Sequence, residues 1–157
     1  LRLLEGIKGS IVIDDTYNAS PVAVLAGLET VKRLKTKGRK IAVLGDMLEL
    51  GGVAIEAHKE VGEAVGKSCN FLFAVGPRAR YIIDGALIGG MSEKNIVEFP
   101  DAHTAGKHVE RMLKKDDIVF VKGSQGMRME KAVEEIMAHP ENKGQVLARQ
   151  EKEWQNR

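Results

Sequence analysis

The sequence predicts an α/β domain of Rossmann-like class: a mostly parallel sheet with helices on both faces. Two observations lead there. Short apolar runs recur at Ile11–Ile13, Ile41–Leu44, Phe71–Val75, Ile96–Phe99 and Ile118–Val121. They are nearly continuous rather than alternating, as strands buried on both faces require. Between them lie segments of helical period, and strand–helix alternation with short connections builds a parallel sheet covered on both sides.

Each helix has its own signal. Val24, Leu25, Leu28, Val31 and Leu34 form an apolar stripe, opened by Asn18, Ser20 and Pro21 as cap and first turn. Its end is read at Gly38, with Lys35 and Lys37 in the last turn. Glu56–Lys67 and Ala79–Ile88 are helical by period but weakened by internal glycines. Ala102, Ala105, Val109, Met112 and Leu113 follow Pro100-Asp101, and Met129, Ala132, Val133, Ile136 and Met137 run to a stop at His139-Pro140. Residues 1–138 are expected to form the domain. Residues 139–157 are polar and read as a solvated tail with room for a short helix around Val146–Trp154, its tryptophan incidental.

Composition narrows the function classes. A chain of 157 residues, 43% hydrophobic and 29% charged, suits one domain with a real core. A net charge of +2 and 4% aromatics argue against a nucleic-acid partner. Cys69 is the single cysteine, so no disulfide forms within the chain, which fits a reducing compartment. No stretch approaches the ~20 apolar residues of a membrane span, and no signal-peptide pattern is seen. A cytoplasmic location is therefore expected. The chain opens at Leu1, without methionine and already in structured-looking sequence, which suggests a piece of a longer protein.

In open parallel sheets ligands bind beyond the carboxyl ends of the strands. Asp14-Asp15-Thr16-Tyr17-Asn18 follows the first run, and Gly45-Asp46-Met47-Leu48-Glu49 the second. Gly76-Pro77-Arg78 follows the third, and Lys122-Gly123-Ser124-Gln125-Gly126-Met127-Arg128 the fifth. Acids, bases, amides and glycines in these loops suit a polar, phosphorylated ligand. Adjacent acids at a strand end repel, which favours a functional Asp15, whereas Ser20 is accounted for equally well by capping. His58 falls on the inward face of its helix, where a buried, hydrogen-bonded histidine is the plainer reading. No CxxC, HExxH, GxSxG or P-loop pattern is present, and no metal site is expected.

At these loops the sequence resembles the Mur ligase family. Ile13–Pro21 (I-D-D-T-Y-N-A-S-P), Ile41–Gly51 (I-A-V-L-G-D-M-L-E-L-G) followed by His58 and Val61-Gly62, and Val121–Glu130 (V-K-G-S-Q-G-M-R-M-E) carry the resemblance in order. The first two together are similar to the branch that adds D-alanyl-D-alanine to UDP-N-acetylmuramoyl-tripeptide. The resemblance implies a C-terminal domain that closes over ATP and substrate held by an N-terminal domain and a central one, the central domain carrying the P-loop and the Mg2+ ligands. It further implies that Asp15, Tyr17 and Asn18 meet the ribose and adenine of ATP. Asp46, Glu49, Lys122, Ser124 and Arg128 would face the amino substrate, with His58 and Lys122 in support. Gln125 stands where the family usually has Arg, which removes a bidentate clamp that Gln cannot replace in charge.

Two other readings stay open on the residues alone. A phospho-signalling receiver domain also pairs acids after its first strand with a lysine after its fifth, but it needs an aspartate where this chain has Val75-Gly76-Pro77. A generic nucleotide-binding module is the fallback, although the G-x-G-x-x-G fingerprint is missing.

Overall fold

The computed structural model describes all 157 residues. Six strands, β1 (Arg2–Glu5), β2 (Ile11–Asp15), β3 (Lys40–Gly45), β4 (Phe71–Val75), β5 (Ile96–Phe99) and β6 (Ile118–Lys122), form one sheet in the order β1-β2-β6-β3-β4-β5. All pairs are parallel except β1 with β2. The helices are α1 (Pro21–Arg33), α2 (Ala54–Ser68), α3 (Ala79–Ile88), α4 (Ala102–Met112), α5 (Glu130–Ile136), α6 (Lys143–Val146) and α7 (Lys152–Gln155).

The continuous apolar runs have a direct cause. Within one strand, successive side chains enter two different cores. Ile13, Ala42, Leu44, Leu72, Ala74 and Phe120 pack against α1, α2 and α3, whereas Val12, Ile41, Val43, Phe73, Val75, Val119 and Val121 pack against α4 and α5. A polar residue at either phase would enter a core.

Four details depart from the sequence-based expectation. The edge strand β1 was not expected, because Arg-Leu-Leu-Glu is short and exposed; it is defined by antiparallel pairing with β2. Helix α1 stops at Arg33, so Lys32 and Arg33, not Lys35 and Lys37, fill its last turn. The glycines of α2 and α3, read as weakening, are where those helices touch: a Cβ on Gly62 would lie 2.0 Å from the carbonyl oxygen of Ile82, and one on Gly85 would lie 2.0 Å from that of Lys59. The tail carries α6 and α7 and contributes Leu147 and Arg149 to the interior, so it is not simply solvated.

Side-chain caps start α1 and α4. Ser20 Oγ accepts from the Ala23 amide at 3.2 Å and Asp101 Oδ1 from the Thr104 amide at 2.7 Å.

Candidate active-site cleft

The sheet order locates the cleft. The chain leaves β2, β3 and β4 toward α1, α2 and α3 on one face, but leaves β6 toward α5 on the other. Loops therefore diverge at the carboxyl end of β6, between β2 and β3, and such a divergence opens a crevice. A cavity of about 570 Å³ lies there, lined by Asn18, Leu48, Glu49, Ser124, Gln125, Gly126, Arg128, Trp154 and Arg157.

The two acids ending β2 take opposite roles because neighbouring side chains point to opposite faces. Asp14 turns inward, where Oδ1 accepts from the Thr16 amide at 3.1 Å and the Thr16 hydroxyl at 2.7 Å. Burial pushes its carboxyl above the usual aspartate range, against the pull of those hydrogen bonds. Asp15 meets Lys122, whose Nζ lies 2.7 Å from Oδ2 and donates to the carbonyl of Asn18 at 2.8 Å. Lys122 is only 4% exposed and Asp15 20%, so this is a largely desolvated pair that orders the whole 15–18 turn. The amino group of Leu1 also approaches Asp15 Oδ1, at 3.2 Å. Tyr17, 77% exposed, and Asn18 stand out from that turn.

The loop after β3 is pinned at almost every residue. The Asp46 carboxylate is 0% exposed and accepts the Arg78 amide at 3.0 and 3.1 Å, with the Arg78 guanidinium 3.6 Å away. Burial raises its pKa, and the Arg78 amide works the other way. Gly76, at φ 108, makes the turn that delivers Arg78; a Cβ there would stand 2.8 Å from the Asp46 carboxyl carbon. His58 is buried on α2 and bonded at both nitrogens. Nε2 accepts the Met47 amide at 3.0 Å while Nδ1 donates to the Ala54 carbonyl at 2.6 Å, a pattern met by the Nδ1-protonated tautomer. Ser124 joins this loop to β6: its amide donates to the Asp46 carbonyl at 3.0 Å and its hydroxyl accepts from the Leu48 amide at 2.8 Å.

The structure thus regroups the residues expected to face an amino substrate. Glu49 and Ser124 line the cavity, and Glu49 is exposed with a left-handed φ of 61, a conformation that non-glycine residues hold mainly where their surroundings impose it. Asp46 is sealed behind the loop, because the Arg78 amide and burial claim both its oxygens. Lys122 turns to Asp15 rather than toward Glu49. Arg128 reaches the cavity wall, but its guanidinium is shared with Glu130 at 2.5 Å and the Trp154 carbonyl at 2.9 Å. Gln125 sits on the wall as a neutral amide.

Sequence reasoning missed the tail's share of this site. Trp154 and Arg157 line the cavity, and the guanidiniums of Arg128 and Arg157 each lie 5.3 Å from the Trp154 ring centroid. The apolar run Val146-Leu147-Ala148 is the one stretch of the tail whose composition fits a return to the core, and it says nothing of Arg157. Cys69 lies away from the cleft, and burial pushes its thiol up to about 12. No group of three or more His, Cys, Asp or Glu side chains could hold a metal ion, so the residues present do not fit a magnesium site made by this chain alone. They do fit a nucleoside, since a partly exposed carboxylate, an exposed aromatic ring and an amide share one turn.

Fold and cleft together define an open-sheet α/β domain built to face a polar ligand. The family model for the Mur ligase glutamate ligase domain matches residues 1–125. The chain is 30% identical over 141 residues to the UDP-N-acetylmuramoyl-tripeptide–D-alanyl-D-alanine ligase of Bacillus subtilis, covering 89% of this chain and 31% of that protein. It is 32% identical over 129 residues to the Rickettsia prowazekii ligase of the same name, covering 82% and 28%. Among solved structures, the MurF ligase from Thermotoga maritima in complex with ADP aligns at a TM-score of 0.67 and 33% identity, over 82% of this chain and 28% of that one. The chain belongs to the Mur ligase family and corresponds to its C-terminal domain; it spans less than a third of the length of these curated relatives.

Proposed function

We propose that this chain is the closing domain of an ATP-dependent ligase that joins D-alanyl-D-alanine to UDP-N-acetylmuramoyl-tripeptide in the cytoplasm. The observation that carries this reading is the Lys122–Asp15 pair at the switch point, within a chain whose named relatives are ligases of this one branch. In the reaction the tripeptide carboxylate takes the γ-phosphoryl group of ATP and ADP leaves. The dipeptide amine then attacks the acyl carbon, and inorganic phosphate departs from the tetrahedral intermediate. Asp15 accepts from ribose hydroxyls, Tyr17 packs on the base and Asn18 supplies an amide, on a turn that Lys122 holds at Asp15 and Asn18. Glu49 is the carboxylate that meets the dipeptide ammonium, and Ser124 with the neighbouring backbone orients it. Asp46 and His58 act behind this loop, keeping Glu49 in place. Arg128 offers its remaining charge to the dipeptide carboxylate. Closure of such a domain keeps water from the acyl phosphate while the amine is aligned. The magnesium ion and the P-loop belong, in this reading, to the central domain.

The receiver reading loses its support because the turn after β4 is Gly76-Pro77, without a carboxylate. The test of the ligase reading is phosphate release by the full-length parent given ATP and UDP-N-acetylmuramoyl-tripeptide, with and without D-alanyl-D-alanine. Release that depends on the dipeptide is the expected result. Release that ignores the dipeptide but responds to a single amino acid moves the substrate, and no ATP use overturns the assignment.

A further inference from the structure

Arg149 is unusual for a residue in a polar tail. It is 5% exposed, and its backbone adopts a left-handed φ of 56. Its guanidinium bonds in two directions. Toward α5, Nε and Nη2 lie 3.2 and 2.8 Å from Glu130 Oε2. Toward the turn after β2, Nη1 donates to the Tyr17 carbonyl at 2.7 Å and Nη2 to the Thr16 carbonyl. Glu130 is itself buried, and Arg128 holds its other oxygen at 2.5 Å.

One planar, always-charged fork therefore spans the gap between two loops that leave neighbouring strands. The turn it grips belongs to Asp15, Tyr17 and Asn18, whose other anchor is Lys122 on the opposite side. Lys122 fixes Asp15 and the Asn18 carbonyl, and Arg149 fixes the two carbonyls between them, so four consecutive residues have their backbone direction set from two sides. The outer face of the same tail supplies Trp154, whose ring centroid lies 5.9 Å from the Arg149 guanidinium, and Arg157 to the cavity wall.

We propose that Arg149 is a positioning residue for the nucleotide-facing turn 15–18, and that the segment carrying it is a working part of the cleft. This rests on the ligase reading for the identity of the nucleotide, but the ordering of the turn does not depend on it. The chemistry that Arg149 recognises is internal, two carbonyls and a carboxylate; the ligand it serves is a nucleoside triphosphate meeting Asp15 and Tyr17.

The test uses the full-length parent with Arg149→Ala and Arg149→Lys, read in two ways. Hydrogen exchange of the ligand-free protein reports the amides of residues 15–19, and calorimetry reports ATP affinity beside the KM values for ATP and dipeptide. Arg149→Ala is expected to speed exchange in that turn and weaken ATP about ten- to a hundredfold, as displaced positioning groups do. The KM for the dipeptide should move far less. Arg149→Lys, which keeps the charge but loses the fork, should fall between the two and replaces the alanine variant if that one fails to fold. Unchanged exchange in the turn, or equal losses in ATP and dipeptide binding that track thermal stability, overturns the proposal. Faster exchange in the variant of a parent that binds no ATP upholds the positioning and removes the ligase reading instead.

Discussion

His58→Ala should be among the more damaging single changes in the domain, and the structure gives the size. The imidazole is fully buried and accepts from the Met47 amide while donating to the Ala54 carbonyl. Removing it strands the buried Met47 N–H, at about 1–3 kcal/mol. The Ala54 carbonyl is near the surface and recovers a water, so its loss adds little. The ring also leaves a void; at about 24 cal/mol per Å³, a residual cavity of roughly 50–80 Å³ adds about 1–2 kcal/mol. The total is roughly 2–5 kcal/mol, a large part of the stability of an ordinary domain. In urea unfolding with a slope near 2 kcal/mol/M, the midpoint should fall by about 1–2.5 M with the slope unchanged. His58→Phe fills the void without accepting from Met47, so it should retain only the hydrogen-bond part of the loss. Native-state exchange of the Met47 amide should accelerate in both variants. A phenylalanine variant as stable as the parent, with Met47 still protected, would refute the claim that His58 holds the 46–49 loop by that bond.

Two further outcomes follow from the same geometry. Gly62→Ala would bring a methyl group within 2.0 Å of the Ile82 carbonyl oxygen, so α2 and α3 must separate and stability should drop by about 1–3 kcal/mol or more in thermal or urea unfolding; wild-type stability would contradict the packing described. For Glu130, burial alone would raise the pKa, but hydrogen bonds from Arg149 and Arg128 outweigh it and hold the carboxyl below the usual glutamate range. Its contribution is therefore fully present above the unfolded value near pH ~4.3 and is lost as the pH falls through the lower folded value. Trp154, the single tryptophan, packs on Arg128 and Arg149, so its fluorescence should report tail release in that acid window. Glu130→Gln should remove the transition there; an identical titration in the variant would mean that another group drives release.

Legibility in the sequence followed the physics of burial. Phe71–Val75 and Ile118–Val121 were readable because a strand between two cores tolerates no polar residue, and the cleft followed from where those runs end. Boundaries set by hydrogen bonding rather than burial were not readable: α1 ends at Arg33, capped by Leu34, whose amide still bonds back to Thr30 and Val31, well before Gly38. Charge told only that Asp14, Asp15, Asp46, Glu49 and Lys122 sit at strand ends. Which of them face ligand depends on alternation along β2 and on the loop path after β3, and both are three-dimensional facts. Arg149 carried no local signal at all, since its partners Thr16, Tyr17 and Glu130 lie far from it in the chain.

The distribution of commitments in the cleft bears on what the domain can do. Asp46 is bound to Arg78, Asp15 to Lys122, and Glu130 to Arg128 and Arg149. Among the acids at the strand ends, Glu49 is the one that stands exposed on the cavity wall. A loop cluster whose cations Lys122, Arg78, Arg128 and Arg149 are each tied to an acid has little free charge to offer a phosphoryl group, Arg157 being the wall cation that pairs with no acid. It can, however, present a rigid surface whose backbone directions are fixed before the ligand arrives, and preorganisation of that kind is what the proposed closing domain would contribute to a reaction whose phosphate-handling groups, in the same reading, lie elsewhere. Lys122, Arg149 and His58 are then comparable in function although none reaches the cavity. Each holds a loop that does, and losing any one should impair alignment of the substrates more than the chemistry of the step itself.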